Sequence, residues 1–256
     1  MRKLFVAAIA AALAVSGFAV FAIADEGQGN TSLEFTFSKK GKNKATGSNT
    51  VLEPAKQDDK GTADTSDDHY DAPSKSVVVF PAGSNVDTGA KARCKESPSD
   101  VQSGRETCPS KTRIGSGLAN SLLGQPDAGG GTEVVAPIEA FNTKNGILFI
   151  VKPCSPGTGP GQANPTCTPI PGGTVALVGT WSKVNTRPTL TVPTPAQLQG
   201  RIIITRFQLR TNKIDTNKGQ YVTTPDTCPR SDKWLTLAKE TYEDGTKQTI
   251  RDTQPC

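Results

Sequence analysis

From residue 33 onward, apolar and polar residues alternate along most of the chain with a period of two, the pattern of strands that bury one face. Leu33, Phe35 and Phe37 alternate with polar neighbours, and a weaker strand covers Thr50 to Leu52. A polar, Asp-rich stretch from Gln57 to Asp71 reads as a loop, followed by a compact strand from Ser76 to Phe80. Asp87 to Cys94 predicts a short helical turn capped by Asp87. The run from Ile114 to Leu123 contains glycine and predicts a bulged or edge strand.

In Glu133 to Asn142, Val134, Ala136, Ile138 and Ala140 share one side, and Asn145-Gly146 is a hairpin signal leading into Ile147 to Val151. The Pro/Gly-rich loop 153–173 has no core of its own, and strands resume at Thr174 to Val184 and Thr189 to Val192. Arg201 to Thr211 predicts a strand with Ile203, Thr205, Phe207 and Leu209 on one face. Lys233 to Tyr242 and Lys247 to Arg251 flank Asp244-Gly245, a preferred two-residue turn. About ten strands with turn signals between them predict an all-β antiparallel two-layer β-sandwich, with a closed barrel as the alternative.

The first residues change the picture of where this domain works. Arg2 and Lys3 precede an uncharged apolar run from Leu4 to Ile23, and Ala22-Ile23-Ala24 supplies a small-x-small cleavage pattern. Residues 1–24 therefore read as a signal peptide forming an N-terminal helix, with retention as an anchor as the alternative. Residues 25–32 read as a flexible N-terminus and 33–256 as a single domain of the secreted protein. Losing Arg2 and Lys3 lowers the formal charge from +5 to +3, too small and dispersed an excess to point to nucleic acid. Lys39, Lys40, Lys42 and Lys44 read as a solvated hairpin turn.

Six cysteines, Cys94, Cys108, Cys154, Cys167, Cys228 and Cys256, follow the signal segment, an even count that means disulfides in an exported chain. Six cysteines allow 15 connectivities. Spacing favours neighbours, since each successive pair brackets a loop or hairpin. Metal thiolate chemistry has little to stand on, with no Cys-x-x-Cys pair and a single histidine.

Three passages also carry a resemblance. Pro81-Ala82-Gly83 ends a Val-rich strand, before Cys94 and before Cys108-Pro109 running into Arg113-Ile114-Gly115-Ser116-Gly117. Phe141-Asn142 precedes a strand. Thr224-Pro225, Cys228-Pro229, Trp234, Tyr242, Asp244-Gly245 and Pro255-Cys256 close the chain. Together, over most of residues 76–256, the sequence resembles a group of exported proteins of unknown activity common in high-GC Gram-positive bacteria. The resemblance implies an extracellular β-sandwich with Cys94 joined to Cys108 and Cys228 to Cys256, and supplies no catalytic residues.

Candidate chemistry is sparse. A Ser-His-Asp arrangement would have to use His69, which lies in the polar loop, and no Gly-x-Ser-x-Gly elbow occurs. Asp58, Asp59, Asp64, Asp67, Asp68 and Asp71 offer oxygen ligands of the kind calcium prefers, with Asp64, Asp67, Asp68 and Asp71 the candidate set, although their spacing is not that of an EF-hand. Glu133, Glu139 and Glu240 sit on predicted strands and could supply a carboxylate pair for glycoside hydrolysis. Gly115-Ser116-Gly117 and Gly157-Thr158-Gly159 complete no phosphate-binding fingerprint. Trp181, Trp234, Tyr70, Tyr221 and Tyr242 read as core packing or strand-edge cover. The sequence thus predicts a non-enzymatic structural, cell-envelope or ligand-binding module without a cofactor. Wall polysaccharide or another envelope protein are its candidate partners. An extracellular hydrolase and a calcium-dependent adhesion module are the alternatives.

Overall fold

The computed structural model describes residues 31–58, 69–123, 132–155, 168–169, 173–195, 198 and 202–256. The expected signal segment 1–24 with its cleavage site, and most of the 25–32 stretch, lie outside them. Among the described residues, no helix is long and apolar enough to cross a membrane.

The chain is all-β, but its strands do not divide into two layers. Among the described residues, eleven strands form the path of one continuous antiparallel sheet, to which the short pair Cys154–Ser155 and Thr168–Pro169 is added at its side: β1 (Ser32–Phe37), β2 (Ser48–Glu53), β3 (Pro73–Val79), β4 (Arg113–Leu123), β5 (Thr132–Asn142), β6 (Gly146–Val151), β7 (Val175–Val184), β8 (Arg187–Pro193), β9 (Ile202–Thr211), β10 (Lys233–Tyr242) and β11 (Lys247–Pro255). Their order is β1-β2-β9-β4-β5-β6-β7-β8-β3-β10-β11. A sandwich needs a break in this ladder, and there is none along it. The sheet instead curls until β1 approaches β11, so the two-layer expectation gives way to a nearly closed barrel.

Side chains, not a backbone ladder, bridge that last gap. The Phe35 amide donates to Asp252 Oδ2 at 2.6 Å and the Phe37 amide to Gln254 Oε1 at 2.8 Å, while Gly41 N–H reaches the Cys256 carbonyl at 3.1 Å. These bonds satisfy edge groups that would otherwise offer a template for pairing with another chain. The four lysines of the β1–β2 turn are all exposed, as a solvated hairpin requires.

Local chemistry accounts for the turns. Asn185 and Thr186 adopt φ of 47° and 66° between paired Val184 and Arg187, giving a two-residue turn of the kind that matches strand twist. At the β10–β11 turn Gly245 has φ 86°, and Asp244 Oδ1 accepts from both the amide and the hydroxyl of Thr246. The predicted helical turn at Asp87 to Cys94 does not form. Asp87 caps the Gly89 amide within a loop, and Asn142 Nδ2 fixes that loop by donating to the carbonyls of Thr88, Lys91 and Ala92. The helix lies later, α1 (Pro98–Gln102), where Ser97 accepts from Asp100 N–H and proline occupies the first turn.

Two covers pack on the outside of the barrel. The loop closed by Cys94–Cys108, together with α1, lies over Leu148, Ile150, Ala176 and Phe141, which explains why every residue of β6 is buried. The Asp-rich stretch is not simply a loop: Lys56–Asp58 pairs with His69–Asp71 at its base. Beside that base Ala55, Ala72, Tyr70 and Leu122 bury Ile203. Ile203 therefore points outward, contrary to the expected face. A register shift between Ile204 and Arg206 swaps the alternation of β9, so Ile202, Ile204, Phe207 and Leu209 point inward.

Cys228–Cys256 ties the outer ends of the β10–β11 hairpin, and Cys154 is disulfide-bonded as well. Its predicted partner, Cys167, lies outside the described residues.

Candidate functional site

Inward-facing residues differ in size around the barrel, and that difference makes a site. On one side Phe35, Phe37, Phe80 and Trp234 stack edge to face, with Phe35 5.0 Å from both Phe37 and Phe80 and Phe37 5.8 Å from Trp234. Such pairs fill volume and fix ring orientation. On the other side β4 and β5 present Ala119, Ser121, Val134 and Ala136, too short to reach across. Gly117 is required by proximity, because a Cβ there would collide with the Gln208 carbonyl of β9.

The space left is an apolar cavity of about 130 Å³ in the barrel interior. Register places its two ends. Pro54, Pro73, Pro153 and Pro193 line the end where β2, β6 and β8 finish and β3 begins. Trp181, Tyr221 and Val222 line the opposite end, which the segment 214–224 plugs. That plug is held by Val222 paired with Val86, by Asp87 N–H on the Tyr221 carbonyl at 2.8 Å, and by Thr46 N–H on the Val222 carbonyl at 3.0 Å.

None of the described side chains lining the cavity is charged. Several of its polar atoms are engaged elsewhere: Ser48 and Thr211 hydroxyls bond each other at 2.9 Å, Thr194 donates to the Pro73 carbonyl at 2.6 Å, and Ser76 donates to Glu240 at 2.5 Å. The Tyr221 hydroxyl and the Trp181 indole N–H are buried at the plugged end, where the indole lies close enough to the phenol to oppose the effect of burial. Burial still pushes the phenol well above its ordinary value, so Tyr221 is neutral at any physiological pH.

Among the described residues, Glu240 is the one fully buried carboxyl in the core. Burial raises its pKa to about 7 and the bond from Ser76 only partly opposes this, while Oε1 has no partner. A carboxyl in this setting carries its proton below neutrality. A second depression, broad and shallow at 350 Å³, lies outside the barrel between the Cys108 loop and β5–β6. There Glu139 is bound by Lys152 at 3.0 Å and Arg113 at 3.4 Å, so these three charged groups are engaged with one another.

The residues singled out in the sequence are not gathered into one centre. Glu139 faces outward on β5, whereas Glu240 faces inward on β10, five strands further along the sheet. The Glu133 and His69 side chains, and Asp64, Asp67 and Asp68, lie outside the described residues. Asp71 ends the strand that pairs with Lys56–Asp58. Among the described residues no cluster of three or more metal-ligating side chains occurs. Gly115-Ser116-Gly117 belongs to β4, just past a register shift at Arg113/Gly115.

Trp234, Tyr221 and Tyr242 are core residues, each 1% exposed. The cavity itself has a trace in the sequence, in the small inward residues Ala119 and Ser121 opposite Ala136 and Val134. The pairing of Trp181 with Tyr221 has none, because 40 residues and a change from strand to plug separate them.

No family model, no curated protein and no solved structure matches this chain.

Proposed function

We propose that this protein is an exported, non-enzymatic binding protein that holds a small uncharged apolar molecule inside its barrel. The observation that carries the reading is the cavity of about 130 Å³ lined by the described residues without a single charge. Pockets for small molecules are concave and mostly apolar, with a few polar groups fixing orientation. An engineered apolar cavity of ~150 Å³ stays dry and takes up benzene, so a single-ring molecule is the right scale here. Disulfides at Cys94–Cys108 and Cys228–Cys256 support an oxidising compartment, and the signal-like residues 1–24 support export to reach it.

Thermal unfolding of the oxidised protein with saturating toluene tests the binding. A ligand that prefers the folded state stabilises it by mass action, about 2.7 kcal/mol at a hundredfold excess over Kd, which raises Tm by roughly 5 to 10 °C in a chain of this size. Ala136→Leu, which puts a larger side chain into the cavity, abolishes the shift. An unchanged Tm with toluene overturns the reading. Peptide mapping of protein from culture supernatant tests export: a mature chain beginning at Asp25 is the expected result.

A further inference from the structure

We infer that the β1–β2 turn, with the segment 224–233 bonded to it, is a docking surface for a linear phosphate-bearing polymer of the cell envelope, held through the polymer's repeated negative charge. This surface is separate from the cavity and works whether or not the barrel holds a ligand.

Backbone bonds gather the charges. Thr224 is fully buried, and its hydroxyl donates to the Gly41 carbonyl at 2.6 Å and accepts from the Lys44 amide at 2.8 Å. Asn43 N–H reaches the Pro225 carbonyl and Gly41 N–H the Cys256 carbonyl, each at 3.1 Å, while Cys228–Cys256 ties the same segment to the end of β11. These contacts bring Lys39, Lys40, Lys42 and Lys44 to one end of the barrel with Arg230 and Lys233, and all six are exposed. None of the six makes an ion pair among the described residues. Asp226 and Asp232 are the carboxylate side chains of these segments, so the local excess of positive charge is larger than the +3 expected for the whole chain without residues 1–24.

Unpaired lysines on an ordered turn attract anions within a Debye length of about 8 Å at physiological salt. No pocket converges on them: none of the six lines the cavity or the outer depression, so a small anion would meet few of the charges at once. A polymer that repeats its charge meets several together and gains the release of its counterions. Five of the six are lysines, which meet phosphate as point charges, whereas bidentate pairing with carboxylate belongs to arginine. Two other anionic partners fit less well. Single nucleic-acid strands are held by bases stacked on exposed rings, and the aromatics of this end, Phe37, Tyr221 and Trp234, are buried. A bilayer surface is gripped by apolar side chains entering below the headgroups. The large exposed hydrophobics among the described residues, Leu118, Val178 and Val184, lie on β4 and β7, not on this turn or the segment bonded to it.

The test measures binding of long-chain inorganic polyphosphate to the oxidised protein. Affinity is expected to fall about fiftyfold as monovalent salt rises from roughly 50 to 200 mM, the dependence that about four neutralised phosphates give. Lys39→Gln, Lys40→Gln, Lys42→Gln and Lys44→Gln together are expected to weaken binding by about thirtyfold or more at the lower salt and to flatten its salt dependence. A control removes the same charge elsewhere: Lys75→Gln, Lys239→Gln, Lys247→Gln and Arg251→Gln, exposed on β3, β10 and β11, leave affinity within about threefold. Tm of both variants reports folding, and the toluene response of wild type reads the cavity separately from the docking surface. Equal losses in the two variants overturn the assignment to this turn, and polyphosphate that fails to bind wild type at the lower salt overturns docking altogether. Duplex DNA bound about tenfold more tightly than polyphosphate would assign the surface to nucleic acid. Binding to phosphatidylglycerol vesicles without binding to polyphosphate would assign it to a membrane. Either result overturns the proposal.

Discussion

Two halves of one barrel interior obey the same alternation and end in opposite states. Around β1 and β10 the inward residues include Phe35, Phe37 and Trp234, which with Phe80 meet ring to ring at 5.0 to 5.8 Å. Around β4 and β5 they are Ala119, Ser121, Val134 and Ala136, and a cavity results. Alternation decides which residues face inward, and their volume decides whether the interior becomes a core or a container. Proteins pack their interiors densely, so a void of this size is a feature to be explained, not a tolerance.

The comparison is sharpened first by truncating the filled half. Trp234 is 1% exposed, packs on Phe37 and donates its indole N–H to the Thr227 carbonyl at 3.0 Å. Trp234→Ala is expected to cost about 3 to 5 kcal/mol in denaturant unfolding. A cost under about 1 kcal/mol would mean that this half is as loosely filled as the other.

Next comes the staple on the filled half. Cys228–Cys256 closes a separation of 28 residues between the ends of β10 and β11. Replacing both cysteines by serine is expected to destabilise by about 3.5 kcal/mol through the entropy of the unfolded chain, read from the shift in denaturation midpoint.

Third is a pH effect confined to Glu240. Its folded-state pKa, raised from 4.5 to about 7, means that the folded protein binds a proton that the unfolded chain releases. The associated stability is fully present below pH 4.5, declines as pH rises toward 7, and is gone above that, a span of about 3 kcal/mol. Glu240→Gln is expected to flatten unfolding free energy across this window. A wild-type profile that rises between pH 4.5 and 7, with the same rise in Glu240→Gln, would show that the carboxyl is already ionised in the fold.

The smallest effect on stability is expected in the open half. Ala136→Leu fills space instead of creating it and shifts unfolding free energy by about 1 kcal/mol or less. It nevertheless removes toluene binding, so stability and binding part company on this side of the barrel and not on the other.

Much of the strand content was legible in the residues. Val134, Ala136, Ile138 and Ala140 share the interior face as their spacing predicts, and the Cys94–Cys108 and Cys228–Cys256 pairs join neighbours. Ile203 shows where that legibility ends. Its spacing groups it with Phe207 and Leu209, but the register shift at Thr205 turns it outward beneath Ala55 and Ala72. A bulge is the insertion of one residue against a partner strand, so it is set by the ladder between β9 and β4 and leaves no mark in the period of β9 alone. The helical turn predicted at Asp87 fails for a related reason, since Asn142 on β5 bonds that loop's carbonyls from 50 or more residues away.

The sequence by itself determined which side chains pair into strands, where the turns fall and which cysteines lie close enough to join, because each depends on residues near one another in the chain. Only the tertiary structure decided that one sheet would curl nearly shut instead of splitting into two, that small residues from β4 and β5 would face a common space, and that Tyr221 would be buried beside Trp181 at its end. Those outcomes depend on twist, bulges and pairings between distant segments, and a two-residue period carries no information about what lies across the interior.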